Sequence, residues 1–170
     1  MREFLKDLLT ARGLLNVLFC FILFYVTGYI STRIHEFGHW LIAKGYGCEA
    51  VIVYSRMVTG GTWVKCPEYY PPSEVKRIII RVALAGPFIS LLFGALLYWG
   101  FGRNSILRLM GLIPLLYSYL PNLLMIEGSD MWVAVENGLH PLIALLIIIA
   151  SIGIVFFALG REVTERRYVI

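Results

Sequence analysis

Residues 13–44 read GLLNVLFCFILFYVTGYISTRIHEFGHWLIAK. No side chain from 13 to 32 is charged, and about 20 apolar residues are what a helix needs to cross a hydrocarbon layer of roughly 30 Å. The helical pattern continues through RIHEFGHWLIAK, and Gly45 and Gly47 are the first stop signals. One helix over 13–44 is about 48 Å long at 1.5 Å per residue. It therefore reaches across an apolar layer and carries its charged cluster at the far end, or sinks that cluster partway by tilting.

The rest of the chain has the same character. Apolar segments over 75–100, 106–126 and 139–160 predict three more spans, with Gly86-Pro87 expected to loosen or kink the first of them. Residues 48–66 differ. They are rich in Val, Ile, Thr, Tyr and Trp, and Gly60-Gly61 separates two short runs, which predicts a β-hairpin or re-entrant ribbon. The prolines of PEYYPPSE, 67–74, mark a loop, and residues 1–12 read as a short interfacial helix. The expected fold is thus an all-α polytopic membrane protein, a single domain over 1–170, with about four transmembrane helices and a short β-hairpin after the first.

Composition agrees. The chain is 59% apolar and only 15% charged, with mean hydropathy +0.76, against the quarter charged that is usual in soluble domains. The net charge of +4 comes from Lys and Arg lying mostly beside the apolar blocks. Lipid headgroups are the expected partner, and nucleic acid is not. Arg33 and Arg81 read as snorkelling anchors. The first apolar block runs into charged chemistry, not a small-residue cleavage site, so it is not expected to be a cleavable signal. With three cysteines, Cys20, Cys48 and Cys66, an odd total and wide spacing favour free thiols, although Cys48 and Cys66 bracket a short segment.

The sharpest motif is His35-Glu36-Phe37-Gly38-His39, an H-E-x-x-H pattern. Four residues apart on a helix, the two imidazoles share one face and can grip one metal ion. Glu36 lies about 60° around the axis from His39. It is placed to hold and deprotonate a water at the metal without acting as a ligand. Two His leave a catalytic zinc one protein ligand short. WLIAKGYG follows His39, so the third His of the soluble metzincins is missing. Asp130, just after the third apolar segment, is the best candidate, with Glu127, Glu136 and His140 as rivals in the same stretch.

Three ordered motifs make the chain resemble the site-2 protease family of intramembrane zinc metalloproteases, over roughly residues 13–131. HEFGH is similar to that family's zinc motif. Ala85-Gly86-Pro87-Phe88-Ile89-Ser90 resembles its A-G-P-x-x-(N/S/G) motif. Asn122-Leu123-Leu124 followed by Asp130 resembles its N-x-x-P-x-x-x-x-D-G signature. The resemblance implies one zinc per chain held by His35, His39 and Asp130. It also implies Glu36 as general base and Asn122 as a group that binds substrate or the oxyanion. Met125 stands in place of the family's Pro and Met131 in place of its Gly, and Glu127 adds a carboxylate. These departures bear on the local backbone more than on the ligand itself.

The implied reaction is peptide hydrolysis by zinc-activated water on a transmembrane or membrane-proximal segment of a substrate protein. The segment around Gly60 and Gly61 is expected to bind the unwound substrate by strand addition. Slightly more Lys and Arg flank the N- and C-terminal side of the spans than the motif side, which leans towards a cytoplasmic N-terminus. The resemblance implies the reverse, an active site towards the cytosol, and is given more weight. The competing readings are a non-catalytic membrane binding protein of protease descent and a metal transporter. Intact Glu36 argues against the first, and the lack of repeated halves against the second.

Overall fold

The computed structural model describes residues 11–56, 59–100, 108, 110–114 and 127–167. Helix α1 (Ala11–Gly45) is one 35-residue helix that runs unbroken through HEFGH. It ends at the expected glycines. Gly47 takes φ 70°, a left-handed conformation that costs a residue without Cβ little. Cys48 N–H donates to the Ala43 carbonyl at 3.0 Å and Gly47 N–H to that of Lys44 at 2.9 Å. This crossed pair satisfies carbonyls that the last turn leaves orphaned.

The chain then forms strands β1 (Glu49–Arg56) and β2 (Thr59–Lys65), paired antiparallel with Ile52 opposite Thr62 and Tyr54 opposite Gly60. Gly60-Gly61 therefore lies inside β2 and does not separate the two strands; the reversal falls between Arg56 and Thr59. The reason for a glycine at 60 is crowding: a Cβ there would sit 3.0 Å from both the Tyr54 ring and the Glu36 Cγ. Pairing Glu49 with Lys65 brings the flanking cysteines together, and Cys48 and Cys66 are disulfide-bonded, their Cα atoms 4.2 Å apart. The expectation of free thiols is corrected here, because spacing along the chain carries no information about strand register. Alkylation with a polyethylene-glycol maleimide after denaturation should modify Cys20 alone, and all three cysteines only once a reductant is added. Modification of all three without reductant would contradict the pairing.

Helix α2 (Pro72–Gly100) starts with proline at its first position, where the missing N–H costs nothing. It stays helical through Pro87. Helix α3 (Asp130–Glu136) is short and capped by Ser129, whose Oγ accepts from Trp132 N–H. Helix α4 (Pro141–Arg167) follows. Three helical stretches, Gly13–Gly45, Pro72–Gly100 and Pro141–Ala158, are long and apolar enough to cross a membrane. The exposure of Phe21, Phe24, Phe156 and Phe157 suits a lipid surround. Most of the expected span 106–126 lies outside the described residues, although 110–114 is helical, and residues 1–10 lie outside them too.

Packing holds these elements in register. Ala43, Cys48, Ala50, Ile78 and Val82 join α1, the ribbon and α2. Met131 is fully buried with Ala144 and Ile148 of α4, against Leu84 of α2. The Met131 side chain thereby fills the joint between α2, α3 and α4. At the far end, Tyr98 donates to the Ala158 carbonyl at 2.7 Å, tying α2 to α4.

Candidate metal centre

Two stripes spaced by four residues face one another. On α1, Ser31, His35 and His39 share a face; on α2, Val82, Gly86 and Ser90 do. The helices approach closely because both contact points are glycines. A Cβ at Gly38 would lie 2.8 Å from the Ala85 carbonyl oxygen, and one at Gly86 would lie 2.3 Å from His39 Nε2. The Ala-Gly-Pro motif thus acts as a floor. Its missing side chain leaves room for two imidazoles.

The outer atoms of that floor orient the rings. His39 Nδ1 lies 2.6 Å from the Val82 carbonyl oxygen. A carbonyl only accepts, so Nδ1 carries a proton, and Nε2 is the atom left to meet a metal with its lone pair or, when protonated, to donate to a carboxylate. His35 Nδ1 is 3.3 Å from the Ser90 hydroxyl, itself buried. Both Nε2 atoms point to a common centre and are 3.1 Å apart. Asp130 completes the group, with its carboxylate oxygens 3.0 Å from His35 Nε2 and 3.1 Å from His39 Nε2. Asp130 owes its place to Gly128, at φ 81°, and the Ser129 cap, which turn the chain into α3.

Lone pairs of nitrogen and carboxylate oxygen at about 3 Å repel unless a cation lies between them. Without a metal that cation is a proton. Burial alone would raise the Asp130 carboxyl, but hydrogen bonds from His35 and His39, and their charge, outweigh it and hold it well below the usual carboxylate range. A metal ion meets the same need. Two imidazoles and a carboxylate are a catalytic zinc donor set, and ligands about 2.0 Å from a tetrahedral zinc lie roughly 3.3 Å from one another. The observed separations are close to that, so the donors fit.

Of the residues singled out in the sequence, His35, His39 and Asp130 form a group able to hold a metal ion. The rivals do not join it: Glu127 and Glu136 are exposed, and the His140 Nδ1 accepts from Leu142 N–H at the start of α4. Glu36 is buried beside the group. Gly60 lies against it and Gly61 faces open space. Asn122 lies outside the described residues. Sequence reasoning passed over Thr62, whose hydroxyl donates to Glu36 Oε2 at 2.7 Å, and the Val82 carbonyl. A backbone oxygen leaves no trace in residue identity. Thr62 was legible only as the strand neighbour, two residues on, of a glycine. No family model matches the chain, and neither a curated protein nor a solved structure matches it.

Proposed function

We propose that the chain is a zinc metalloprotease of the site-2 type, with about four membrane spans including 106–126, that hydrolyses peptide bonds in transmembrane or membrane-proximal segments of other proteins. One observation carries this reading: the Val82 carbonyl fixes the His39 tautomer so that its Nε2 lone pair meets His35 Nε2 and the Asp130 carboxylate at one point. A buried helix pair built only for packing has no use for such convergence, and polar groups at membrane depth are costly unless they serve a site.

Zinc held by His35, His39 and Asp130 would supply Lewis acidity to water and to the scissile carbonyl. Glu36 takes the proton of the attacking water and returns it to the leaving amine. The resemblance gives Asn122 the role of stabilising the oxyanion. A substrate helix must unwind before attack, and its freed backbone groups need partners. The β1–β2 ribbon beside Glu36 offers them through an edge strand.

The ribbon bears on orientation. Disulfides persist in oxidising compartments, so the Cys48–Cys66 bond favours placing the ribbon and metal face there. The balance of basic residues leans the same way. This reverses the cytosolic placement that the resemblance implies.

Elemental analysis of purified protein tests the site. About one zinc per chain is expected in the wild type, with most of it lost in Asp130→Ala. Full retention in that variant would remove Asp130 from the ligand set, and a folded wild type without zinc would end the protease reading.

A further inference from the structure

We infer that Thr62 is a positioning residue for Glu36, aiming one carboxylate oxygen so that the other is left for the reacting water. The inference rests on Glu36 being the general base. A glutamate has three rotatable side-chain bonds, and a base must be held within about 0.5 Å of its working position. Glu36 is buried, 5% exposed, and its backbone position on α1 does not set its outer torsions.

Strand β2 sets them. Thr62 has a single hydroxyl proton. The Glu36 Oε2 accepts it at 2.7 Å, and the Glu36 carbonyl oxygen lies farther off at 3.2 Å. Among the described residues no other hydrogen bond reaches that carboxylate. Gly60, on the same face two residues earlier, lies over the stem of the side chain, where a Cβ would come within 3.0 Å of Glu36 Cγ. The strand therefore confines the methylenes with a glycine and the carboxylate with a hydroxyl. The strand is itself anchored: Thr62 pairs with Ile52, Val64 packs on the core shared by α1 and α2, and the Cys48–Cys66 bond closes the base of the ribbon. A bond to Oε2 leaves Oε1 without this partner, so the two oxygens are made unequal.

A purely structural role, docking the ribbon on α1, predicts the same contact but a different energetic pattern. Acetohydroxamate separates the two. It chelates zinc through two oxygens and passes its proton to an adjacent carboxylate, so its affinity reads the aim of Glu36 without any peptide substrate. Zinc content and acetohydroxamate Kd would be measured for wild type, Thr62→Val, Thr62→Ser, Glu36→Ala and the Glu36→Ala/Thr62→Val double variant. The expected result is zinc retained throughout, Kd raised about tenfold in Thr62→Val through loss of one charge-assisted hydrogen bond, and most of that regained in Thr62→Ser. In the Glu36→Ala background the Thr62→Val penalty should vanish, because the two residues act as one unit. An unchanged Kd in Thr62→Val, or a penalty that persists without Glu36, overturns the inference while leaving the protease reading intact. So does loss of zinc from Thr62→Val, which would make Thr62 a support of the fold. A wild type that holds no zinc overturns both.

Discussion

Replacing Gly86 with alanine is expected to strip the protein of its metal although no ligand residue is substituted. The added methyl would lie 2.3 Å from His39 Nε2, 2.5 Å from His39 Cε1 and 2.8 Å from His35 Nε2. Non-bonded contacts lie at about 3.5–4.0 Å, so both rings would have to retreat by roughly an ångström. They cannot do so cheaply, because His39 is held at Nδ1 by the Val82 carbonyl and the helices are pressed together at Gly38. Metal–ligand distances tolerate only about 0.2 Å. Loss of an orienting partner outside the ligand set already weakens metal binding by about 10–100-fold, and a direct displacement of two ligands should exceed that range. Competition against a chelator of known zinc affinity would read the effect, with far-UV circular dichroism checking that the helices persist. Wild-type zinc affinity in Gly86→Ala would mean that the metal is bound elsewhere.

Glu36→Gln is expected to abolish peptide hydrolysis and keep the zinc. The substitution preserves shape and removes only the ability to accept a proton, a function worth about 10²–10⁴ in rate. Thr62 can still donate to the amide oxygen, so the ribbon should stay docked. A membrane-anchored reporter carrying an apolar segment would show cleavage by the wild type and none by the variant at equal zinc content. Cleavage that survives would dismiss Glu36 as the base. Zinc binding without cleavage by either protein would favour the non-catalytic descendant, and zinc flux into vesicles the transporter.

Much of this was legible in the sequence because the signals are local. A run without charge over 13–32 specifies an apolar helix whatever surrounds it. The i, i+4 spacing of His35 and His39 puts two imidazoles on one face by helix geometry alone. Gly47 announced the end of α1, and the β-rich composition of 48–66 announced the ribbon. The Gly86-Pro87 pair was expected to loosen or kink its helix; α2 runs helical through it, and what the sequence did not show is that the glycine admits the rings of another helix.

What only the tertiary structure decided are relations between segments far apart in the chain. Asp130 was the preferred of four candidate ligands by its place after the third apolar segment and by the resemblance, but no local physical signal within residues 127–140 brings it to the two imidazoles. The choice was made by Met131 anchoring α3 between α2 and α4, and by the turn at Gly128 and Ser129. The disulfide depends on the register of two strands, the tautomer of His39 on a backbone carbonyl 43 positions away, and the grip on Glu36 on a threonine 26 positions away. The sequence by itself determined the three long apolar helices among the described residues and which face of α1 carries the imidazoles, because those follow from periodicity and from short-range hydrogen bonding. Which groups meet that face was left to packing, since a contact between distant residues is specified jointly by everything that fills the space between them.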